Sequence, residues 1–214
     1  MPFLITVAHA RYLRDHRHMR AWQHQTTAEN KRVAARLTGD RIAAVWYFLL
    51  SAGDDREPPE WDFGVWHQPT MGVQVSTEQG GVFSAMWSQY QEWGFGVDLF
   101  DSPAADRLAA GGLWCQVNVS DHPAWIPLLG RAVTASFRWN DFGTGRPPCP
   151  EAVKLASSAA SLWIITAGWE RRESKLTVQL GLDDLVVIFD DRFASALGLY
   201  DPDRGRDEPA RRRA

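Results

Sequence analysis

The chain has 214 residues, 45% of them apolar, and its 23 Lys and Arg against 26 Asp and Glu give a formal net charge of −3 with a pI near 6.1. That length suits one domain with a sizeable core, and that charge excludes a global attraction to phosphate backbones or anionic lipid. Two cysteines, Cys115 and Cys149, far apart and without a CxxC or a histidine at metal spacing, exclude a disulfide scaffold and point to a reducing, cytoplasmic setting.

Residues 1–26 read as a partly ordered leader. The opening MPFLITVAHARYLRDHR has a six-residue apolar run with its arginines after it, the reverse of a signal peptide, and no stretch reaches transmembrane length. Four histidines, His9, His16, His18 and His24, crowd this segment. His16 and His18 would face nearly opposite sides of a helix, however, and Arg11, Arg14, Arg17 and Arg20 raise the cost of a cation there. No metal site is expected, and an arginine stripe in a net-acidic chain does not predict nucleic-acid binding. Thr26 with Glu29 three residues on forms a capping-box pattern, and Val33 and Leu37 add an i, i+4 apolar pair, so a helix is predicted over 27–37.

The segments that follow come in two ordered sets. LTGDRIAAVW (Leu37 to Trp46) aligns with LLGRAVTASF (Leu128 to Phe137), placing Gly39 on Gly130 and Ile42 on Val133. GVQVSTEQGGVFSAMW (Gly72 to Trp87) aligns with AVKLASSAASLWIITA (Ala152 to Ala167), each an alternating hairpin around a polar or small connection. That alignment puts Val73 on Val153, Val82 on Leu162 and Phe83 on Trp163. VDLFD (Val97 to Asp101) aligns with VVIFD (Val186 to Asp190), and the same register carries Leu108 onto Leu197. Both leucines sit in short helix-like segments, one opening at Ser102-Pro103 and the other ending at Gly198. Between the sets, LWCQVNV (Leu113 to Val119) alternates like a strand, while SDHPAWIPLLG is broken by proline and holds at most a turn of helix. Asp183 and Asp184 read as a turn after Gly181, since adjacent residues on an extended chain point apart.

These blocks predict an internal duplication. One domain over 27–202 then consists of repeat 1 (about 37–111) and repeat 2 (about 128–198), followed by a mobile tail over 203–214 with little apolar surface to bury. The fold class expected is α+β and β-rich, with two related half-domains forming a mainly antiparallel β-sandwich or barrel with short helices.

Candidate contact residues fall in the loops. GDDREPPEWD (Gly53 to Asp62), in the insertion that distinguishes repeat 1, carries Asp54, Asp55, Glu57, Glu60 and Asp62 against Arg56 alone. Such a run keeps a loop solvated or steers a basic partner. Of the eleven tryptophans, Trp46, Trp87, Trp139 and Trp163 fall on the repeated strands and are expected in the core. Trp61, Trp66, Trp93 and Trp169 fall on or beside loops, near His67, Glu92 and Glu170, a set that suits a small planar molecule, a sugar or a protein partner. No GxSxG elbow, Walker A loop, HExxH or Rossmann fingerprint is present.

The succession GVQVSTEQGGVFSAMW, VNVSDHPAWIPLLGRAVTASFRW, GLDDLVVIFD resembles a group of uncharacterised bacterial proteins, mainly actinobacterial, over roughly residues 37–190. The resemblance implies the two-set layout and brings no activity and no site residues with it. The function expected is a non-catalytic cytoplasmic binding protein of immunity or partner-regulating type, with neither metal nor cofactor. Its contact residues would be Asp54, Asp55, Glu57, Glu60, Trp61, Trp66, His67, Trp93 and Trp169. Two alternatives stand beside it: a small-molecule-binding protein or cofactor-free enzyme with a Trp/His/Glu-lined pocket between the two halves, and a carbohydrate-binding module.

Overall fold

A computed structural model of the chain describes residues 24–51, 58–90, 94–108, 113–140, 148–172 and 175–199, with the backbone alone for 169–179. The leader histidines His9, His16 and His18, the candidates Asp54, Asp55, Glu57 and Trp93, and the tail over 203–214 lie outside the described residues.

Helix α1 (Thr27–Leu37) begins where its capping box predicts. The Thr26 hydroxyl accepts from the Glu29 N–H at 3.2 Å and the Glu29 carboxylate accepts from the Thr26 N–H at 2.8 Å. Its apolar stripe, Val33, Ala34 and Leu37, is buried against β-structure. Among the described residues eleven strands follow: β1 (Ile42–Leu50), β2 (Trp66–Thr70), β3 (Gly72–Thr77), β4 (Val82–Gln89), β5 (Phe95–Phe100), β6 (Trp114–Asn118), β7 (Thr134–Asn140), β8 (Cys149–Ala156), β9 (Ser161–Arg172), β10 (Lys175–Leu180) and β11 (Asp184–Ile188). Helix α2 (Asp191–Ala196) comes after them, its first turn capped by the Asp190 carboxylate, which accepts from the N–H groups of Arg192 and Phe193.

The strands form two sheets with every ladder antiparallel, so the β-rich fold class is borne out as a sandwich. Sheet one runs β5-β4-β3-β1-β6; sheet two runs β2-β11-β9-β8-β7, with β10 folded as a hairpin onto β9. Alternation along each strand sends one set of side chains into a shared core. From sheet one come Val45, Tyr47, Val75, Phe83 and Leu99; from sheet two Phe137, Val153, Leu162, Ile164 and Val187. The outer face of sheet two packs Trp66, Trp163 and Ile165 against Ala194 and Leu199, and that of sheet one packs Phe48, Met86 and Phe100 against Ala104 and Leu108.

Both sheets contain a run of four strands in the same order, β1-β3-β4-β5 in one and β7-β8-β9-β11 in the other. The backbone registers differ from the sequence alignment by one residue, however. Phe83 and Leu162 both face the core, whereas Trp163 points to the outer face of sheet two. The cause is the hairpin connection: residues 77–81 separate the pair Ser76 and Val82, but only 157–160 separate Ala156 and Ser161. A slip of one residue moves a whole strand's side chains to the other face. Val97 and Leu99 therefore occupy the positions of Leu185 and Val187 rather than of Val186 and Ile188.

Several other expectations are refined. The segment after Ser102-Pro103 is only a 3-10 turn, Ala104–Asp106, with Pro103 rather than Ser102 at its cap, so no hydroxyl caps it. Trp66 opens β2 directly after a bend, beside a loop as expected, whereas Trp169 lies within β9. The edge of sheet one at β5 is covered by the start of α1: Asn30 Oδ1 accepts from Leu99 N–H at 2.9 Å, taking the place of a neighbouring strand. Beside it the fully buried Asp98 carboxylate accepts from Asn30 Nδ2 at 2.7 Å, from Gln25 N–H at 2.9 Å and from the Tyr90 hydroxyl. Among the described residues no helix is long and apolar enough to cross a membrane.

Candidate functional site

At β2, an edge strand of sheet two, three separate segments converge on the side chain of His67. Strand β2 leaves sheet two at a corner, Thr70 at φ 37°, an uncommon value for a β-branched residue, and the next strand belongs to sheet one. The corner is fastened to the end of β1: Thr70 Oγ1 accepts from Leu50 N–H at 2.7 Å and Phe48 C=O accepts from Met71 N–H at 3.0 Å. Alternation then fixes the two tryptophan and histidine neighbours on opposite faces. Trp66 goes to the outer layer, stacked on Phe63 at 4.1 Å, and His67 goes inward opposite Val187.

The segment before β2 folds back along it. Gln68 N–H donates to Trp61 C=O at 2.8 Å and Phe63 N–H to Trp66 C=O at 3.1 Å, which sets Asp62 beside His67. The third segment is the proline-broken connection between the two sets of strands, where turns at His122 bury Trp125 completely and leave the His122 side chain 23% exposed. Tyr47 supplies the floor from the inner face of β1.

The polar contacts form two short chains that face each other, Trp125–Tyr47–His67 and Asp62–His122. Trp125 Nε1–H donates to the Tyr47 oxygen at 2.7 Å, and the Tyr47 hydroxyl is 2.7 Å from His67 Nδ1. His67 Nε2 lies 3.4 Å from Asp62 Oδ1 without hydrogen-bond geometry, and His122 Nε2 lies 3.1 Å from Asp62 Oδ2. His122 Nδ1 accepts from Ala124 N–H at 3.3 Å. Aromatic rings wall the cluster edge-on: Trp61 at 5.0 Å and Phe189 at 4.6 Å from His67, with the two imidazoles 4.5 Å apart.

These surroundings set the charges. Burial lowers the His67 pKa to about 4, and the nearby His122 adds to that effect. The Gly64 N–H, donating at 2.8 Å, holds the Asp62 carboxyl below its ordinary value, with His122 and His67 contributing. Burial pushes the Tyr47 phenol well above its ordinary value, so it stays protonated. At neutral pH the centre is thus one carboxylate facing a neutral, fully buried imidazole.

A stability consequence follows from His67. Because its folded-state pKa lies below the unfolded value, the unfolded chain binds the extra proton between about pH 6.5 and 4, and stability is lost as pH falls through that window. The expected loss is up to about 3 kcal/mol at ~1.4 kcal/mol per unit. Urea unfolding in EDTA at pH 7 and pH 4.5 measures it, and the His67→Gln chain should show a shallower pH dependence.

Of the sequence candidates, the structure brings Trp61 and His67 together. Trp66 faces away, and Glu60 is exposed on the approach to Trp61. Asp62 appears in the sequence only as one acid among five, and Tyr47, His122 and Trp125 carry no motif. Their signals are slight: a tyrosine on a core-facing position of IAAVWYFLL, and a His-Pro-Ala-Trp run in a connection too short to bury itself. A groove of about 440 Å³ between α1 and β7 is lined by Lys31, Phe137 and Trp139, among other residues, and its lining holds no comparable polar cluster. Compared with protein-family models, with curated proteins and with solved structures, the chain gives no match.

Proposed function

We propose that the protein is a cytoplasmic small-molecule-binding protein whose recognition centre is the Asp62–His67–His122 cluster between the two sets of strands. The observation that carries this reading is His67, wholly buried yet with Nε2 turned toward a carboxylate whose side chain is 44% exposed. Ligand sites are mostly apolar walls with a few converging polar groups, which describes Trp61, Phe189 and Tyr47 around these three side chains. The free thiols of Cys115 and Cys149 suit a reducing compartment. A protein-partner surface has support of its own in the exposed Phe63 and Val65, at 39% and 47%, close in sequence to Glu60.

A thermal-shift panel of sugars, nucleobases, amino acids and small carboxylates, run on the EDTA-treated chain, tests the reading. A ligand at 100 times its dissociation constant stabilises by about 2.7 kcal/mol, and one class should raise the melting temperature of the wild type but not of His122→Gln. No shift with any class, or shifts retained in both His122→Gln and Asp62→Asn, would turn the weight to the protein-partner surface.

We also propose that the two sets of strands descend from one duplicated unit. Their common order supports this, as does a reciprocal pair of bonds: Gly39 N–H donates to Val133 C=O and Gly130 N–H to Ile42 C=O, each at 2.8 Å. Arg41 and Ala132, which the alignment superposes, pair with each other at the centre of that exchange.

A further inference from the structure

We infer that Asp62, His67 and His122 form a binding site for one divalent transition-metal ion of the zinc type. The inference rests on the location of the centre given above, and it does not depend on any organic ligand. Taking one donor atom from each residue, all three lie within 4.8 Å of one another; His67 Nε2 is 3.4 Å from Asp62 Oδ1, and His122 Nε2 is 3.1 Å from the other oxygen, Oδ2. Four ligands at the usual bond lengths around a tetrahedral zinc ion stand about 3.3 Å apart, so donor atoms held within 4.8 Å of one another reach one ion by rotation and small shifts of the side chains. Two imidazoles and a carboxylate are a donor set that zinc accepts and that calcium or magnesium does not favour.

The second observation is independent of the spacing. His67 is fully buried and its Nε2 has no hydrogen-bond partner, although Nδ1 is engaged by Tyr47. A buried polar atom left without a partner costs about 1–3 kcal/mol, and an ion at Nε2 removes that cost. Tyr47, itself held by Trp125, then serves as the outer partner that fixes the ring plane. Both imidazoles must carry their proton on Nδ1 in the metal-bound state. At His67 the Tyr47 oxygen, which also accepts from Trp125, accepts it while the phenol O–H turns away from Nδ1; at His122 the 3.3 Å contact from Ala124 N–H has to open, which a partly exposed ring permits. Three protein ligands leave a position for water or a small ligand on the side where Asp62 and His122 meet solvent.

The test is a titration of the full chain, stripped with EDTA, with Zn²⁺ in competition with a chromophoric chelator. One ion per chain is expected, with affinity falling at least tenfold in each of Asp62→Asn, His122→Gln and His67→Gln. The first two positions are partly exposed, so those variants report even where His67→Gln unfolds. Replacing His9, His16 and His18 by Gln should leave binding unchanged. Co²⁺ should give the visible absorption of a low-symmetry, four- or five-coordinate site, and ¹⁵N spectra should show both rings changing tautomer on metal addition. Absence of stoichiometric binding, or binding that survives Asp62→Asn and His122→Gln, overturns the inference without touching the small-molecule result, which is read without metal.

Discussion

Trp125→Ala is expected to destabilise the protein by about 4–5 kcal/mol, a large part of the ~5–15 kcal/mol that holds a domain of this kind together. Trp125 is fully buried where the connection between the two sets of strands meets the core, against Tyr47 and Phe189. Truncation opens a cavity of nearly a whole indole and also removes the donor to the Tyr47 oxygen, leaving that buried hydroxyl with His67 alone. Trp125→Phe weights the two contributions differently, since it keeps much of the ring packing and loses the N–H; a cost smaller than that of Trp125→Ala, about 2 kcal/mol, is expected there. Denaturant unfolding measures both. A loss below ~2 kcal/mol for Trp125→Ala would mean that the connection collapses onto the gap and that Tyr47 finds another donor.

The second large effect is expected at Asp98. This carboxylate is fully buried and serves three donors, from Gln25, Asn30 and Tyr90, that tie the start of α1 to the edge strand β5. Asp98→Ala strands all three, at a cost of about 3 kcal/mol or more. Asp98→Asn keeps one acceptor but turns an NH₂ group toward donors, so it should recover only part of the loss. Tyr90→Phe removes one of the three donors, together with the longer 3.4 Å contact from the same hydroxyl to Gln25 C=O, and should cost less than Asp98→Ala. Amide exchange distinguishes the local from the global consequence: protection should fall first at Leu99, whose N–H bonds Asn30, and at the first turn of α1. Uniform loss across both sheets would instead show that the edge and the core melt together.

Local chemistry made much of this fold legible in sequence. The capping box at Thr26 and Glu29 and the apolar pair Val33 and Leu37 define α1 to the residue, because both signals act within one turn. Alternation located the paired strands, and the glycine turn before Val82 is found with Gly80 at φ 83°. Register was less legible. Aligning Phe83 with Trp163 is natural by side-chain type, yet the two hairpin connections differ by one residue and the type match falls on opposite faces. The sheet switch at Thr70 was hidden as well, since WHQPT carries a proline and no apolar alternation, so neither the strand nor the sheet it joins is signalled locally.

The site was legible only in halves. Trp61 and His67 stood out as aromatic and titratable residues in an insertion, whereas His122 and Tyr47 are placed by contacts 55 and 20 residues away from His67 in sequence. Tertiary assembly of that kind leaves no spacing to read.

The pairing of β2 with β11 also sets an order of events. His67 is opposite Val187, 120 residues later in the chain, so its inward face is not enclosed until the last strand has been made and docked. Contacts of such separation close slowly, because a long loop must be ordered before they repay it. A growing chain therefore completes its second hairpin before the histidine centre can exist. The centre is in this sense a record of completion: an imidazole left open until the C-terminal half arrives, and sealed by its arrival.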